Sequence, residues 1–136
     1  MGVVVPRPLD TKRVNFAQAP TILVVDDDSA LLNALTFGIE LEGYRVLAFS
    51  SAEAVLNSDS VPEIACIVVD HRLPGLDGLF LVEVMRARGL TVPAILMTSH
   101  PARRLRVRCS GLNIPIVEKP LLRDELSLAI RAAMGA

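Results

Sequence analysis

Four short apolar runs in this chain each end abruptly in polar chemistry. Ile22-Leu23-Val24-Val25 runs into Asp26-Asp27-Asp28, Ile67-Val68-Val69 into Asp70, Ala94-Ile95-Leu96-Met97 into Thr98-Ser99, and Ile116-Val117 into Glu118-Lys119-Pro120. Runs of this length, apolar at consecutive positions and rich in β-branched residues, predict strands covered on both faces, as in a parallel sheet. The segments between them carry helical spacing. Together they predict strands over Ile22–Val25, Tyr44–Phe49, Ala65–Val69, Ala94–Met97 and Ile116–Val117. Helices are predicted over Ser29–Glu42, Ala52–Asn57, Leu79–Arg88, Ala102–Ser110 and Arg123–Met134. Five βα units of this kind make a doubly wound α/β fold around a five-stranded parallel sheet.

Local chemistry sharpens the boundaries. Ser50 with Glu53 reads as a capping box, Gly43 and Gly89 as helix stops, and Asp124-Glu125 as negative charge in the first turn of the last helix. Leu122, Leu126 and Ile130 share one face of that helix. The helix over 102–110 holds few large apolar residues and four arginines, Arg103, Arg104, Arg106 and Arg108, and reads as loose or partner-dependent. Residues 1–20 contain three of the nine prolines and show no sustained period, so they read as a flexible N-terminal extension, leaving 21–136 as one domain.

Composition narrows the class. With 136 residues and 51% hydrophobic content, the chain can bury one core but is too short for a catalytic domain plus a separate effector domain. A net charge of -1 gives no bulk attraction to nucleic acid. No apolar run approaches the roughly 20 residues a membrane helix needs, and the N-terminus lacks a signal-peptide layout, so a cytoplasmic protein is expected. Cys66 and Cys109 form no disulfide or metal pattern. Of the 14 cationic residues only Lys12 and Lys119 are lysine. A lysine immediately after a strand, in so arginine-rich a chain, suggests a position that wants a compact ammonium and not a planar fork.

The C-terminal ends of parallel strands are where α/β folds keep their chemistry. Asp26, Asp27 and Asp70 would converge there. Three carboxylates cannot all stay ionised side by side without a counter-charge, and an oxygen-only ligand set suits a hard cation such as Mg²⁺. Lys119 and the Thr98 hydroxyl would supply donors to an oxyanion, and a carboxylate that accepts a phosphoryl group needs those parts. Asp28 fits a helix cap before Ser29, Asp77 stabilises the turn before Gly78, and His71, without an obvious ligand partner, falls outside the site.

Taken in order, the Val-Val-Asp-Asp-Asp strand end, Asp70 to Gly78 with its Leu-Pro-Gly-Leu-Asp-Gly turn, Met97-Thr98-Ser99 and Glu118-Lys119-Pro120 carry a resemblance. From about Thr21 to Ala133 the chain resembles a response regulator receiver domain of bacterial two-component signalling, of the stand-alone type. The resemblance implies a flavodoxin-like (βα)5 fold with strand order 2-1-3-4-5. It implies that Asp70 is the phosphoacceptor, charged by a sensor histidine kinase or a histidine phosphotransfer protein. It also implies Mg²⁺ held by Asp26, Asp27, Asp70 and the backbone carbonyl of Arg72, with Lys119 on the phosphoryl oxygens and Thr98 swinging toward the new phosphate. Such a domain is regulatory and not an enzyme. Its output would pass to a downstream protein or a homodimer through the fourth helix, fifth strand and last helix, with neither DNA nor membrane contacted directly.

Two departures stand out. Ile116 occupies the position where the family usually carries a switch Tyr or Phe, and Cys109 to Pro115 replaces the usual Ala-Gly-Ala turn. Ile116 keeps open an alternative, a receiver-like interaction module working without phosphorylation. Arg72 and His100, two residues beyond Asp70 and Thr98, stand where side chains can screen an acyl phosphate from water. A phosphatase with Asp26 as nucleophile is a third reading, but it leaves Asp70 and its Pro-Gly turn unexplained.

Overall fold

The structure, a computed structural model, describes residues 19–58, 63–121 and 124–135. The apolar runs form β1 (Thr21–Val25), β2 (Arg45–Phe49), β3 (Cys66–Asp70), β4 (Ala94–Thr98) and β5 (Ile116–Glu118). Between and after them lie α1 (Ser29–Leu41), α2 (Ala52–Leu56), α3 (Gly78–Ala87), α4 (Arg103–Gly111) and α5 (Glu125–Ala133). All strand pairs are parallel and the order is β2-β1-β3-β4-β5, as the resemblance implied. Every residue of β1, β3 and β4 is buried, which is why these runs show no alternation.

Successive side chains leave a strand on opposite faces, and two core layers result. Leu23, Val25, Ile67, Val69 and Leu96 face Val55 of α2, Leu79 and Val82 of α3, and Leu105 and Cys109 of α4. On the other face Ile22, Val24, Val68, Ile95 and Met97 meet Leu35 and Ile39 of α1 and Leu126 and Ile130 of α5. Burying each such aliphatic side chain contributes about 1.5–3 kcal/mol. Both cysteines serve this packing: burial pushes the Cys66 thiol up to about 11 and raises that of Cys109.

The differences from expectation lie at element ends. β3, β4 and β5 each run one residue further than predicted, because Asp70 pairs in register with Met97 and Thr98 with Glu118. The functional polar residues are thus the last rungs of the ladder. The cap of α2 is Ser51 and not Ser50: its hydroxyl accepts from the Ala54 N–H at 3.0 Å. Asp28 caps α1 as expected, accepting from the Leu31 N–H at 3.1 Å, and Asp77 caps α3 through the Phe80 N–H at 2.8 Å. Gly43 and Gly89, with φ of +97° and +101°, end α1 and α3. The arginine-rich segment forms a nine-residue helix anchored by buried Leu105 and Cys109, and it closes on Asn113 at φ +57°, within the Cys109–Pro115 stretch that stands in place of an Ala-Gly-Ala turn. Residues 1–18, on which most of the expected N-terminal extension falls, and Leu122 and Arg123, at the predicted start of the last helix, lie outside the described residues.

Candidate functional site

β1 and β3 are neighbours with Val25 opposite Val69, so the residues that follow, Asp26 and Asp70, arrive at the same height. Asp27 turns toward the same point. One carboxylate oxygen from each of the three lies within 4.8 Å of the others. Asp26 is fully buried and held on every side. Its N–H donates to the Phe49 carbonyl at 3.1 Å, Oδ1 accepts from the Asp28 N–H at 2.9 Å, and Oδ2 accepts from Lys119 Nζ at 3.2 Å. Lys119 reaches in from β5, two strands away from β3, and places the same Nζ 3.0 Å from Asp70 Oδ1. Its N–H donates to the Thr98 carbonyl at 2.9 Å, which ties the lysine to the end of β4.

The buried Thr98 hydroxyl donates to the Ser99 carbonyl at 3.3 Å. Beside it opens a cavity of about 320 Å³ lined by Asp70, Arg72, Thr98, Ser99, His100 and Lys119. His100 holds φ at +46°, an uncommon backbone for a residue with a side chain. Arg72 and His100 therefore stand in the wall where their spacing suggested. Ile116 does not line this cavity; it sits on β5 opposite Leu96, partly buried against the core.

The electrostatics follow from crowding. Burial raises the Asp70 carboxyl above its usual range, and Asp26 and Asp27 push the same way against the Lys119 hydrogen bond. Burial also opposes the charge on Lys119, yet hydrogen bonds and attraction from Asp70 and Asp26 outweigh it, so the ammonium is held above its ordinary pKa. Three carboxylates with one ammonium form an all-oxygen acidic cluster of the sort that binds a hard cation.

Sequence reasoning missed how much the backbone contributes. A Cβ on Gly78 would overlap the Asp70 carbonyl oxygen and stand 2.9 Å from its carbonyl carbon and from Val69 Cγ2. Glycine lets the start of α3 press against the strand end that bears Asp70. His71, placed outside the site, enters through its main chain: its N–H donates to the Met97 carbonyl and its carbonyl accepts from the Gly78 N–H at 2.8 Å. The signal in the sequence was Asp77-Gly78 directly ahead of a helical run.

Comparison with known proteins bears on the family and the fold. The family model for the response regulator receiver domain matches residues 22–131. The chain belongs to this family. Among curated relatives, the transcriptional regulatory protein FixJ of Bradyrhizobium diazoefficiens is 35% identical over 114 residues, covering 83% of this chain and 56% of that protein. The response regulator protein TmoT of Ectopseudomonas mendocina is 33% identical over 118 residues, covering 86% and 54%. The receiver domain thus spans about half the length of the curated relatives it matches. Among solved structures, full-length FixJ from B. japonicum aligns with a TM-score of 0.73 at 35% identity, covering 85% of this chain and 58% of that one. A CheY-like receiver domain protein from Methanospirillum hungatei shares the fold with a TM-score of 0.78 at 24% identity, covering 86% and 94%. The receiver domain is a regulatory module of two-component systems. No helix among its described residues is long and apolar enough to cross a membrane.

Proposed function

We propose that this receiver domain, residues 21–136 behind a short extension at 1–20, is a cytoplasmic phosphorylation-dependent switch with Asp70 as phosphoacceptor. The observation that carries the reading is Lys119 Nζ, 3.0 Å from Asp70 and 3.2 Å from Asp26 in a cavity that also holds Thr98. In the reaction an Asp70 carboxylate oxygen attacks the phosphorus of a phosphohistidine on a sensor kinase or phosphotransfer protein. The P–N bond breaks, its electron pair returns to the imidazole nitrogen, and an acyl phosphate remains on Asp70. Lys119 is already in place to meet the phosphoryl oxygens, so little reorganisation accompanies the charge that develops there. Thr98 would exchange its 3.3 Å bond to Ser99 for one to the phosphate.

Asp26, Asp27, Asp70 and the Arg72 carbonyl would hold Mg²⁺, which when bound offsets the repulsion between the carboxylates and the incoming phosphoryl group. Output would pass through protein contacts at α4, β5 and α5, to a downstream protein or a second copy of the chain, without direct contact to DNA or membrane. Ile116 favours one rival, a module that binds its partner regardless of phosphate. Acetyl phosphate with Mg²⁺, followed by intact mass, separates the two. The native protein is expected to gain one phosphoryl group and the Asp70→Asn variant none. A folded native protein that gains nothing would refute the reading.

A further inference from the structure

Helix α1 bears far more apolar surface than the sheet covers. At about 100° per residue, Ile39, Leu35, Leu31, Ala34, Leu41 and Phe37 follow one another around an arc of about 200°. A helix that packs on one side needs a stripe of roughly 100°. Only Leu35 and Ile39 are buried, whereas Phe37 and Leu41, at 66% and 71%, are the most exposed large hydrophobic residues described. The inner part of the arc forms one wall of a groove. Leu31, Leu35 and Ile39 line a cavity of about 250 Å³ together with Leu121 and with Leu126 and Ile130 of α5. At its lower end, where α1 stops, the Ser127 hydroxyl donates to the Glu42 carboxylate at 2.6 Å. The volume falls below the roughly 300–1,000 Å³ of small-molecule sites and suits one or two apolar side chains.

The chain enters the sheet beside this lower end. The Pro20 carbonyl accepts from the N–H of Arg45, three residues beyond Glu42, at 2.9 Å. Ile22 and Tyr44 both belong to the core layer that α1 and α5 cover. Residues 12–18, outside the described residues, read Lys-Arg-Val-Asn-Phe-Ala-Gln. From Leu31 to Glu42 the groove is about 17 Å long at 1.5 Å per helical residue, a distance that about five extended residues span. With 17–19 making the turn from Pro20, residues 12–16 match it in length. Val14 and Phe16 fall on one side of an extended chain. Lys12 and Arg13 then reach the upper end, where Asp28 caps α1 through the Leu31 N–H. Asp27 and Asp28 are exposed there, and neither has an ion-pair partner among the described residues.

We propose that residues 12–16 of this chain occupy the groove between α1 and α5, with Val14 and Phe16 seated on its apolar walls and Lys12-Arg13 beside Asp27 and Asp28. Order, length and charge all fit in the same direction. A segment tethered by a short connection acts at an effective concentration of roughly millimolar, which favours it over a second copy of the chain on the same face. Any protein that approaches the acidic strand ends along this edge must first displace the segment. The inference stands on the groove and not on phosphoryl transfer.

Nuclear Overhauser contacts in the full chain, with an isotope-filtered experiment on mixed labelled and unlabelled protein, test the idea. The Phe16 ring should contact methyl groups of Leu35 or Ile39 and of Leu126 or Ile130 within a single chain. A Val14→Asp/Phe16→Asp variant should lose these contacts and shift amide resonances of α1 and α5, while β1 and β3 resonances stay in place. Lys12→Glu/Arg13→Glu should weaken the same contacts at low salt. Absence of contacts to the groove in the native chain, contacts to another face, contacts between labelled and unlabelled chains, or amide shifts confined to residues 12–18 would each overturn the proposal.

Discussion

Replacing Gly78 by alanine adds one methyl group where the structure has no room. The new Cβ would overlap the Asp70 carbonyl oxygen and meet two more atoms at 2.9 Å, the nearest of them backbone and none at the end of a flexible side chain. Either the first turn of α3 retreats, weakening the Gly78 N–H bond to the His71 carbonyl, or the end of β3 shifts. Overpacking of this kind costs about 1–3 kcal/mol. In a domain of this size each kcal/mol lowers Tm by roughly 2–8 °C. Gly38 gives the opposite case: it lies inside α1 with nothing within 4 Å of an added Cβ. There alanine is expected to stabilise by up to about 1 kcal/mol, through helix propensity and a less flexible unfolded chain. Urea denaturation should therefore move the two midpoints in opposite directions. Because the strain falls on Asp70, Gly78→Ala should also slow acyl-phosphate formation while Gly38→Ala leaves it unchanged. Equal stability of Gly78→Ala and native protein would refute the close-approach reasoning.

Other consequences follow from the charges. The folded-state pKa of Asp70 is raised, so its carboxyl favours folding while protonated, and that contribution is lost as pH rises through the folded value. Asp70→Asn should consequently be more stable than native protein at pH 7 without divalent cations, with the gain shrinking toward the ordinary carboxylate pKa of about 3.9; urea midpoints across that range check it. Mg²⁺ at 100 times its Kd should stabilise the native domain by about 2.7 kcal/mol, and calorimetry should show the effect lost in Asp26→Asn/Asp27→Asn. The Arg106–Glu118 pair is half-exposed on both sides, so Glu118→Gln should alter stability by less than about 1 kcal/mol.

The sheet was legible because burial on both faces leaves an uninterrupted apolar run, and β1, β3 and β4 have that pattern. Asp26, Asp27, Asp70, Thr98 and Lys119 were legible because each lies within two residues of the end of an apolar run, and a parallel sheet gathers those ends together. What escaped depends on register and tertiary approach. Nothing local says that Asp70 and Thr98 still belong to the ladder, since Met97 and Glu118 settle that from neighbouring strands. Ser50 and Ser51 are equally good caps in composition, and the backbone chose Ser51. The steric role of Gly78 appears only when α3 packs against β3, and the sequence shows no more than an Asp-Gly pair. Helix α4 looked weak because hydrophobic spacing was the criterion, yet two buried residues and two flanking ion pairs accompany a regular helix.

The central claim is that Asp70 accepts the phosphoryl group, and the most direct measurement identifies the modified residue. The native domain is treated with acetyl phosphate and Mg²⁺, the acyl phosphate is reduced with borohydride, and the peptides are sequenced by mass spectrometry. Borohydride converts a phosphorylated aspartate to homoserine. The account predicts homoserine at position 70, with 26 and 27 unmodified. Homoserine at 26, or none at any position in a protein that retains its fold, would contradict it.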